Sequence, residues 1–368
     1  MRFLNEQSIE DIAIGASFLG TGGGGDPYLG KLMALDAIKK YGPVKLLTVD
    51  ECPLDAVALP IAMMGAPSVG VEKIPNGKEF AMVFSHLEKY LGKKIYATFP
   101  IEAGGVNSML PIVIAAQLGI PIIDCDAMGR AFPELQMVTF HLHDIPSTPM
   151  AITDEKGNIA ILSTISNKWT ENFARSLTIQ MGGSASVCLY PVTGKQLQQH
   201  AVKGSLSLSE KIGLIIRQSG KQQDSLTTLI KQTAAYHLFS GKIIDVKRNT
   251  KNGFNFGTIN LAGIETFQGK SMQIEFQNEN LLALLDGHYV AMTPDLISLI
   301  NLETLIPVTT EALKYGKRVH VIGMQADSEW RTKKGIETVG PKYFGYNIDY
   351  IPIENLYKKS YSNVSIRN

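Results

Sequence analysis

The sequence predicts an α/β domain followed by a largely antiparallel β domain. Three observations carry that expectation. Apolar runs alternate with helical patterns through roughly the first 150 residues, the rhythm of a partly parallel sheet with helical crossovers. From about residue 240 the segments become short and alternating, with turn residues between them, which is the pattern of antiparallel pairing. The chain has 368 residues, 45% of them apolar and 19% charged, enough for two buried cores. We expect residues 1–165 to form the α/β domain, with a glycine-rich loop. Residues 166–368 are expected to be mainly β, with one or two helices at the start.

The elements follow in order. SIEDIAIGASFLG reads as a helix capped by Ser8, with Asp11 in a box-like position three residues on. It stops at LGTGGGGDPYLGK. Asp26 and Pro27 then read as the cap and first position of a second helix that runs to Gly42. The glycine loop therefore joins helix to helix. VKLLTV, AVALPIAMM and KIYATFPI read as buried strands, with KEFAMVFSHLEKYLG as an amphipathic helix between the last two. NSMLPIVIAAQLG reads as a helix capped by Asn107 or Ser108, with Pro111 in its first turn and Gly119 at its end. PIIDCDAMG is the next strand, and AITDEKGNIAILST is a hairpin turning at Lys156-Gly157-Asn158. WTENFARSLTIQMGG and SLSEKIGLIIRQS read as helices, and the strands begin at GKIIDVKRNT.

Composition narrows the function. The net charge is +1 with both signs mixed along the chain, which argues against nucleic acid as a partner. Three widely spaced cysteines, Cys52, Cys125 and Cys188, suggest neither a disulfide framework nor a cysteine zinc site. MRFLNEQSIEDI lacks the apolar core of a signal peptide, and no run of about 18 apolar residues exists. A cytoplasmic protein without a membrane span is expected.

The glycine loop fails two familiar tests. A dinucleotide-binding turn needs a strand before it, and here a helix precedes. A phosphate loop needs a hydroxyl where Leu32 stands, and Pro27 removes an N–H from the cradle. Two readings remain level. Free amides of Thr21, Gly22, Gly23, Gly24 and Gly25 at a helix N-terminus would hold a carboxylate, an anionic ring or an oxyanion. Alternatively, the glycines permit two chain segments to cross closely.

Further candidates end successive α/β segments, where open α/β sheets place their ligands. Glu102-Ala103-Gly104-Gly105 offers a base and backbone donors, with Asn107 as a donor to a carbonyl. The plainer reading is a surface Glu and a capping Asn. Asp124 and Asp126, two apart in a strand, share a face and suit catalysis or a cation, and Arg130 would neutralise one of them in a structural pair. His141 and His143 alternate in the same way. If a divalent metal binds, Asp124, Asp126, His141 and His143 are the expected ligands, although no metal motif supports them and no cofactor is predicted. Met63-Met64-Gly65-Ala66-Pro67 follows a strand, and Met64 would line a pocket. Met181-Gly182-Gly183-Ser184 would supply backbone donors and a hydroxyl. Cys125 is a minor nucleophile candidate, and no GxSxG elbow is present.

LGTGGGGDPYLGKLM, AMMGAPSV, EAGGVNSMLP, DCDAMGRAFPELQM, MGGSA, FQNEN, TPDLI and VGPKYFGY occur in this order over residues 8–355. Together they resemble the S-methyl thiohydantoin desulfurase family. The resemblance implies the same two-domain plan and a link to hydantoin metabolism, because a similar domain is found fused to hydantoinase/oxoprolinase-type enzymes. It also implies hydrolytic loss of methanethiol from a cyclic S-methyl isothiourea, with a small-molecule substrate. Such a reaction needs a carboxylate base, for which Glu102, Asp124 and Asp126 are the candidates. It also needs donors for the ring, for which Gly22–Gly25, Gly104 and Gly105 are the candidates. Arg130 would bind an anionic substituent. The competing expectation is a non-catalytic subunit or scaffold for a hydantoinase/oxoprolinase-type enzyme. A homo-oligomer is compatible with either.

Overall fold

The computed structural model describes residues 1–65, 69, 77–219, 225–251 and 253–361. Six longer helices concern the site. They are α1 (Glu6–Leu19), α2 (Pro27–Tyr41), α3 (Glu79–Leu91), α4 (Gly105–Leu118), α5 (Asn167–Gln180) and α6 (Ser205–Gln218). α1 is capped by Asn5, whose side chain accepts the Ser8 N–H at 2.9 Å, so its cap lies three residues before the expected one. Asp26 caps α2 as the Asp-Pro signal predicts, accepting the Tyr28 N–H at 2.8 Å. α4 begins at Gly105 with Gly104 as its cap, so Asn107 and Ser108 lie inside the first turn and Pro111 beyond it. That earlier start frees the Asn107 side chain from capping.

The first half carries short strands: β1 (Arg2–Leu4), β2 (Val44–Leu47), β3 (Val57–Ala58), β4 (Ile61–Gly65), β5 (Ile95–Ala97), β6 (Ile122–Ile123), β7 (Cys125–Asp126), β8 (Met150–Thr153), β9 (Ile159–Leu162), β10 (Ser184–Cys188), β11 (Val192–Thr193) and β12 (Val202–Lys203). They form small sheets ordered β1-β2-β6, β4-β10-β8-β9, β11-β3-β5 and β12-β7. The pairs β2–β6 and β3–β5 are parallel, and the remaining pairs are antiparallel. The segment PIIDCDAMG is broken at Asp124 into β6 and β7. β10, β11 and β12 lie beyond residue 165 and pair with β4, β3 and β7. α6 also joins this half, crossing α1 closely. A methyl group on Gly15 would fall 1.8 Å from the Ser209 carbonyl oxygen, and one on Gly213 would fall 1.8 Å from that of Asp11. Arg217 on α6 forks onto Asp11 at 2.7 and 3.0 Å.

The second half is one antiparallel sheet of β13 (Tyr236–Lys251), β14 (Phe254–Gly263), β15 (Ser271–Gln277), β16 (Glu279–Leu285), β17 (His288–Met292), β18 (Leu296–Asn301) and β19 (Arg318–Met324). Its order is β17-β16-β15-β14-β13-β19-β18. Leu296, Ile300 and Ile322 of this sheet pack in one buried cluster with Phe18 and Leu19 at the end of α1 and with Ile212 of α6. Phe18 is fully buried there. This apolar seam holds the end of α1, and hence the glycine loop after it, against the β domain. Among the described residues, no helix is long and apolar enough to cross a membrane.

Candidate active site

The glycine loop is a crossing point for three segments. Thr21, Gly22, Gly24 and Gly25 all have positive φ, between 52° and 92°. Three of its carbonyl oxygens are spent on the protein. Thr21 accepts the Asn280 N–H at 2.8 Å, Gly22 that of Thr310 at 2.9 Å, and Gly24 that of Val106 at 2.9 Å. The spacing leaves no room for side chains. A methyl on Gly23 would sit 1.9 Å from the Glu279 carboxylate, one on Gly24 2.6 Å from Gly104 Cα, and one on Gly105 1.7 Å from the Gly25 carbonyl oxygen. The Gly24 and Gly25 amides have no hydrogen-bond partner among the described residues. Both residues line a cavity of about 350 Å³. The close-crossing and free-amide readings thus describe different atoms of one loop.

The cavity lies where the loop, the start of α4, β4 and the start of β16 meet. Two buried carboxyl groups, Glu102 and Glu279, line it from different halves of the chain. Glu102 is 5% exposed and accepts the Asn107 side-chain N–H at 2.6 Å. Asn107 is itself fixed to β4, accepting the Met63 N–H at 2.8 Å and donating to the Met63 carbonyl at 3.2 Å. Burial pushes the Glu102 carboxyl up to about 7, against the pull of hydrogen bonds from Asn107 and the Phe132 backbone. Glu279 is 3% exposed, and its Oε2 has no partner among the described residues. Burial holds its carboxyl well above the usual range and the Glu102 charge raises it further, while Arg130 lowers it. Two acids so placed do not lose their protons together.

Elsewhere the wall is apolar and soft. Met64, Met128, Phe132, Leu135 and Val187 line it. Glu134 and Arg175 also reach it. Arg175 donates to Glu171 at 2.8 Å and to the Pro133 carbonyl at 3.0 Å. The Ala66-Pro67 end of the methionine segment lies outside the described residues.

Other expected site residues lie elsewhere. Asp124 is outside the cavity lining, accepting the Ser207 backbone N–H at 3.1 Å and the Ser207 hydroxyl at 2.5 Å, which ties it to the first turn of α6. Asp126 is fully buried and accepts the Met128 and Gly129 amides at 3.1 and 2.7 Å. Burial pushes its carboxyl up to about 7. Arg130 is absent from the lining, and its five N–H donors all go to protein oxygens. His141 and His143 fall at a one-turn helix, Thr139–Leu142, so the strand alternation expected for them does not arise. His141 meets Asn167 at 3.2 Å, and His143 meets Glu329 at 3.0 Å while stacking on His200. Among the described residues, no three His, Cys, Asp or Glu side chains converge as metal ligands would. Cys125 is buried, with its thiol pushed well up by burial and by Asp126 and Asp124. The Gly182 and Gly183 amides donate back to Ile179 and Thr178, closing the end of α5. Ser184 lines the cavity.

Glu279 was missed by sequence reasoning. The available signal was Asn278-Glu279-Asn280, a polar triplet opening the apolar strand ENLLALL. A glutamate at a fully buried strand start is costly unless it is used.

The chain matches the S-Me-THD-like N-terminal domain over residues 7–164 and the S-Me-THD-like C-terminal domain over residues 165–353. A crystal structure of a protein from Chromobacterium violaceum is 21% identical with a TM-score of 0.79, covering 96% of this chain and 100% of that one. That likeness shows the fold. No curated protein matches the chain. The chain belongs to the S-Me-THD-like family, the S-methyl thiohydantoin desulfurases.

Proposed function

We propose that this family member hydrolyses a small hydantoin-type ring, removing the methylthio group of an S-methyl thiohydantoin. The observation that carries the reading is the pair of buried carboxyls, Glu102 and Glu279, in one cavity beside unpartnered glycine amides. Water attacks the ring carbon that bears sulfur, and ionised Glu102 takes its proton. Protonated Glu279 gives a proton to the adjacent ring nitrogen, where negative charge builds. The Gly24 and Gly25 amides donate to a ring oxygen or nitrogen as that charge develops. The tetrahedral carbon then collapses to a carbonyl as its hydroxyl proton returns to Glu279, its C–S bond breaks, and the leaving methanethiolate takes from Glu102 the proton that water gave up, becoming methanethiol. One water thus supplies the carbonyl oxygen, the ring N–H proton and the thiol proton. Methionine sulfur in the wall offers a polarisable surface to the departing methylthio group.

The acid–base pair sets a pH window. Glu102 must be ionised, so activity rises as pH passes about 7. Glu279 must hold its proton, so activity falls again at the higher pH where that carboxyl ionises. The test is methanethiol release from an S-methyl thiohydantoin by the purified chain, with and without a chelator, beside Glu102→Gln and Glu279→Gln. Turnover that collapses in both variants supports the reading. Equal turnover in wild type and both folded variants contradicts it. No turnover by the folded wild type points to the subunit role instead, and loss with chelator alone assigns the water activation to a metal.

A further inference from the structure

We propose that Arg130 is a positioning residue for this site, locking the glycine loop and the Glu279 strand onto the segment that carries Glu102. The inference rests on the two-carboxyl reading above. Arg130 is fully buried. Its Nε donates to the Ala131 carbonyl at 3.0 Å, and its Nη1 to those of Pro294 and Asp295, each at 2.9 Å. Its Nη2 donates to Thr21 Oγ1 at 2.9 Å and to the Asn280 carbonyl at 3.2 Å. A guanidinium has five N–H donors, and all five are used. Thr21 opens the glycine loop, and Asn280 directly follows Glu279. The guanidinium also lies 4.5 Å from the centre of the Phe132 ring. Phe132 lines the cavity with Glu102, and its backbone lowers the pKa of the Glu102 carboxyl. One side chain thus touches all three parts of the site without lining it.

Charge points the same way. All five acceptors are neutral oxygens. Burial pulls the Arg130 pKa down to about 10, so it remains charged at neutral pH. The nearby Asp295 carboxylate is already committed to Arg331 at 2.6 Å, Tyr350 at 2.8 Å and two backbone amides. Glu279 is therefore the nearby acid left for the Arg130 charge to act on. The other charged groups facing Glu279 are Glu102 and Glu311, and Glu311 in turn faces Asp26 and Arg248. Lysine keeps the charge but lacks the planar fork, so it cannot reach five acceptors on separate segments.

The test compares Arg130→Lys and Arg130→Met in the full chain, with folding checked by circular dichroism and thermal unfolding. The Glu279 carboxyl is followed by carbon-13 NMR and assigned with Glu279→Gln. Arg130→Met is expected to move the Glu279 titration up by about one pH unit or more, and Arg130→Lys by much less. Both are expected to lower kcat by about 100-fold, as a misplacement near 1 Å does, with KM changing far less. If Arg130→Met does not fold, a 100-fold fall in kcat for folded Arg130→Lys supports the assignment. Folded Arg130→Lys with wild-type kcat overturns it, as does an unmoved Glu279 titration in folded Arg130→Met. The titration is read without substrate, so it decides the point even if the wild type does not turn over S-methyl thiohydantoins.

Discussion

The segments 101–107 and 124–130 are built alike and finish differently. Each follows a strand of a parallel pair, β5 or β6. Each places acids within a few residues of a glycine. In the second segment the protein closes over the acids. Asp124 takes the first turn of α6, and Asp126 takes the Met128 and Gly129 amides. In the first segment a nearby helical amide is drawn away, because the Val106 N–H goes to the Gly24 carbonyl. Glu102 keeps the Asn107 side chain and faces the cavity. The two segments thus differ in what claims the amides around their acids. Here the glycine loop claims one of them.

The largest effect should come from exchanging the two fates. Glu102→Gln is expected to lower kcat/KM by about 10³-fold or more, within the range for removing a general base. Asp124→Asn should leave kcat/KM within about tenfold and instead cost about 1 kcal/mol of stability, as loss of a cap does. Denaturant unfolding and methanethiol release measure both. Glu279→Gln comes next. It is expected to cost about 10²-fold and to flatten the alkaline limb of the pH–rate profile, which wild type retains. Gly24→Ala should follow. Its φ of 75° and a Cβ 2.6 Å from Gly104 Cα force the loop apart from α4. A stability loss of about 1–3 kcal/mol is expected, with KM rising.

The smallest effect is on stability against pH. The Glu102 carboxyl is raised in the folded protein, so below its unfolded value it is neutral in both states and costs nothing. As pH rises from about 4.5 to about 7 the unfolded chain ionises first, and stability falls. Above pH 7 Glu102→Gln should therefore be more stable than wild type by up to about 3 kcal/mol, and below pH 4.5 the two should match. Unfolding midpoints at pH 4 and pH 8 check the sign.

Much of the frame was legible because its signals are local. Asp26-Pro27 set the start of α2, and Lys156-Gly157-Asn158 set the β8–β9 turn, where Asp154 accepts the Lys156 and Asn158 amides. The short alternating segments gave the antiparallel sheet. The start of α4 was misplaced because Asn107 is a strong capping type, and nothing nearby in sequence says that its amide is needed by Met63 and Glu102. Glu102 and the glycine loop were readable as candidates because each sits in a glycine-rich junction. Glu279 and the reach of Arg130 were not. Both depend on contacts more than 100 residues apart in sequence, between halves whose docking is set by the apolar seam at Phe18. The histidines were misread because a two-residue spacing has a shared face only in a strand, and Thr139–Leu142 is helical.

The central claim is that Glu102 and Glu279 act as one unit across the two halves. A double-mutant cycle on kcat/KM for methanethiol release tests it most directly, using Glu102→Gln, Glu279→Gln and the double variant, each shown to be folded. Groups that serve one transition state are strongly non-additive, so the double variant is predicted to be no worse than the weaker single variant. Losses that multiply, with the double variant falling by the product of the two singles, would contradict the account and make the two carboxyls independent.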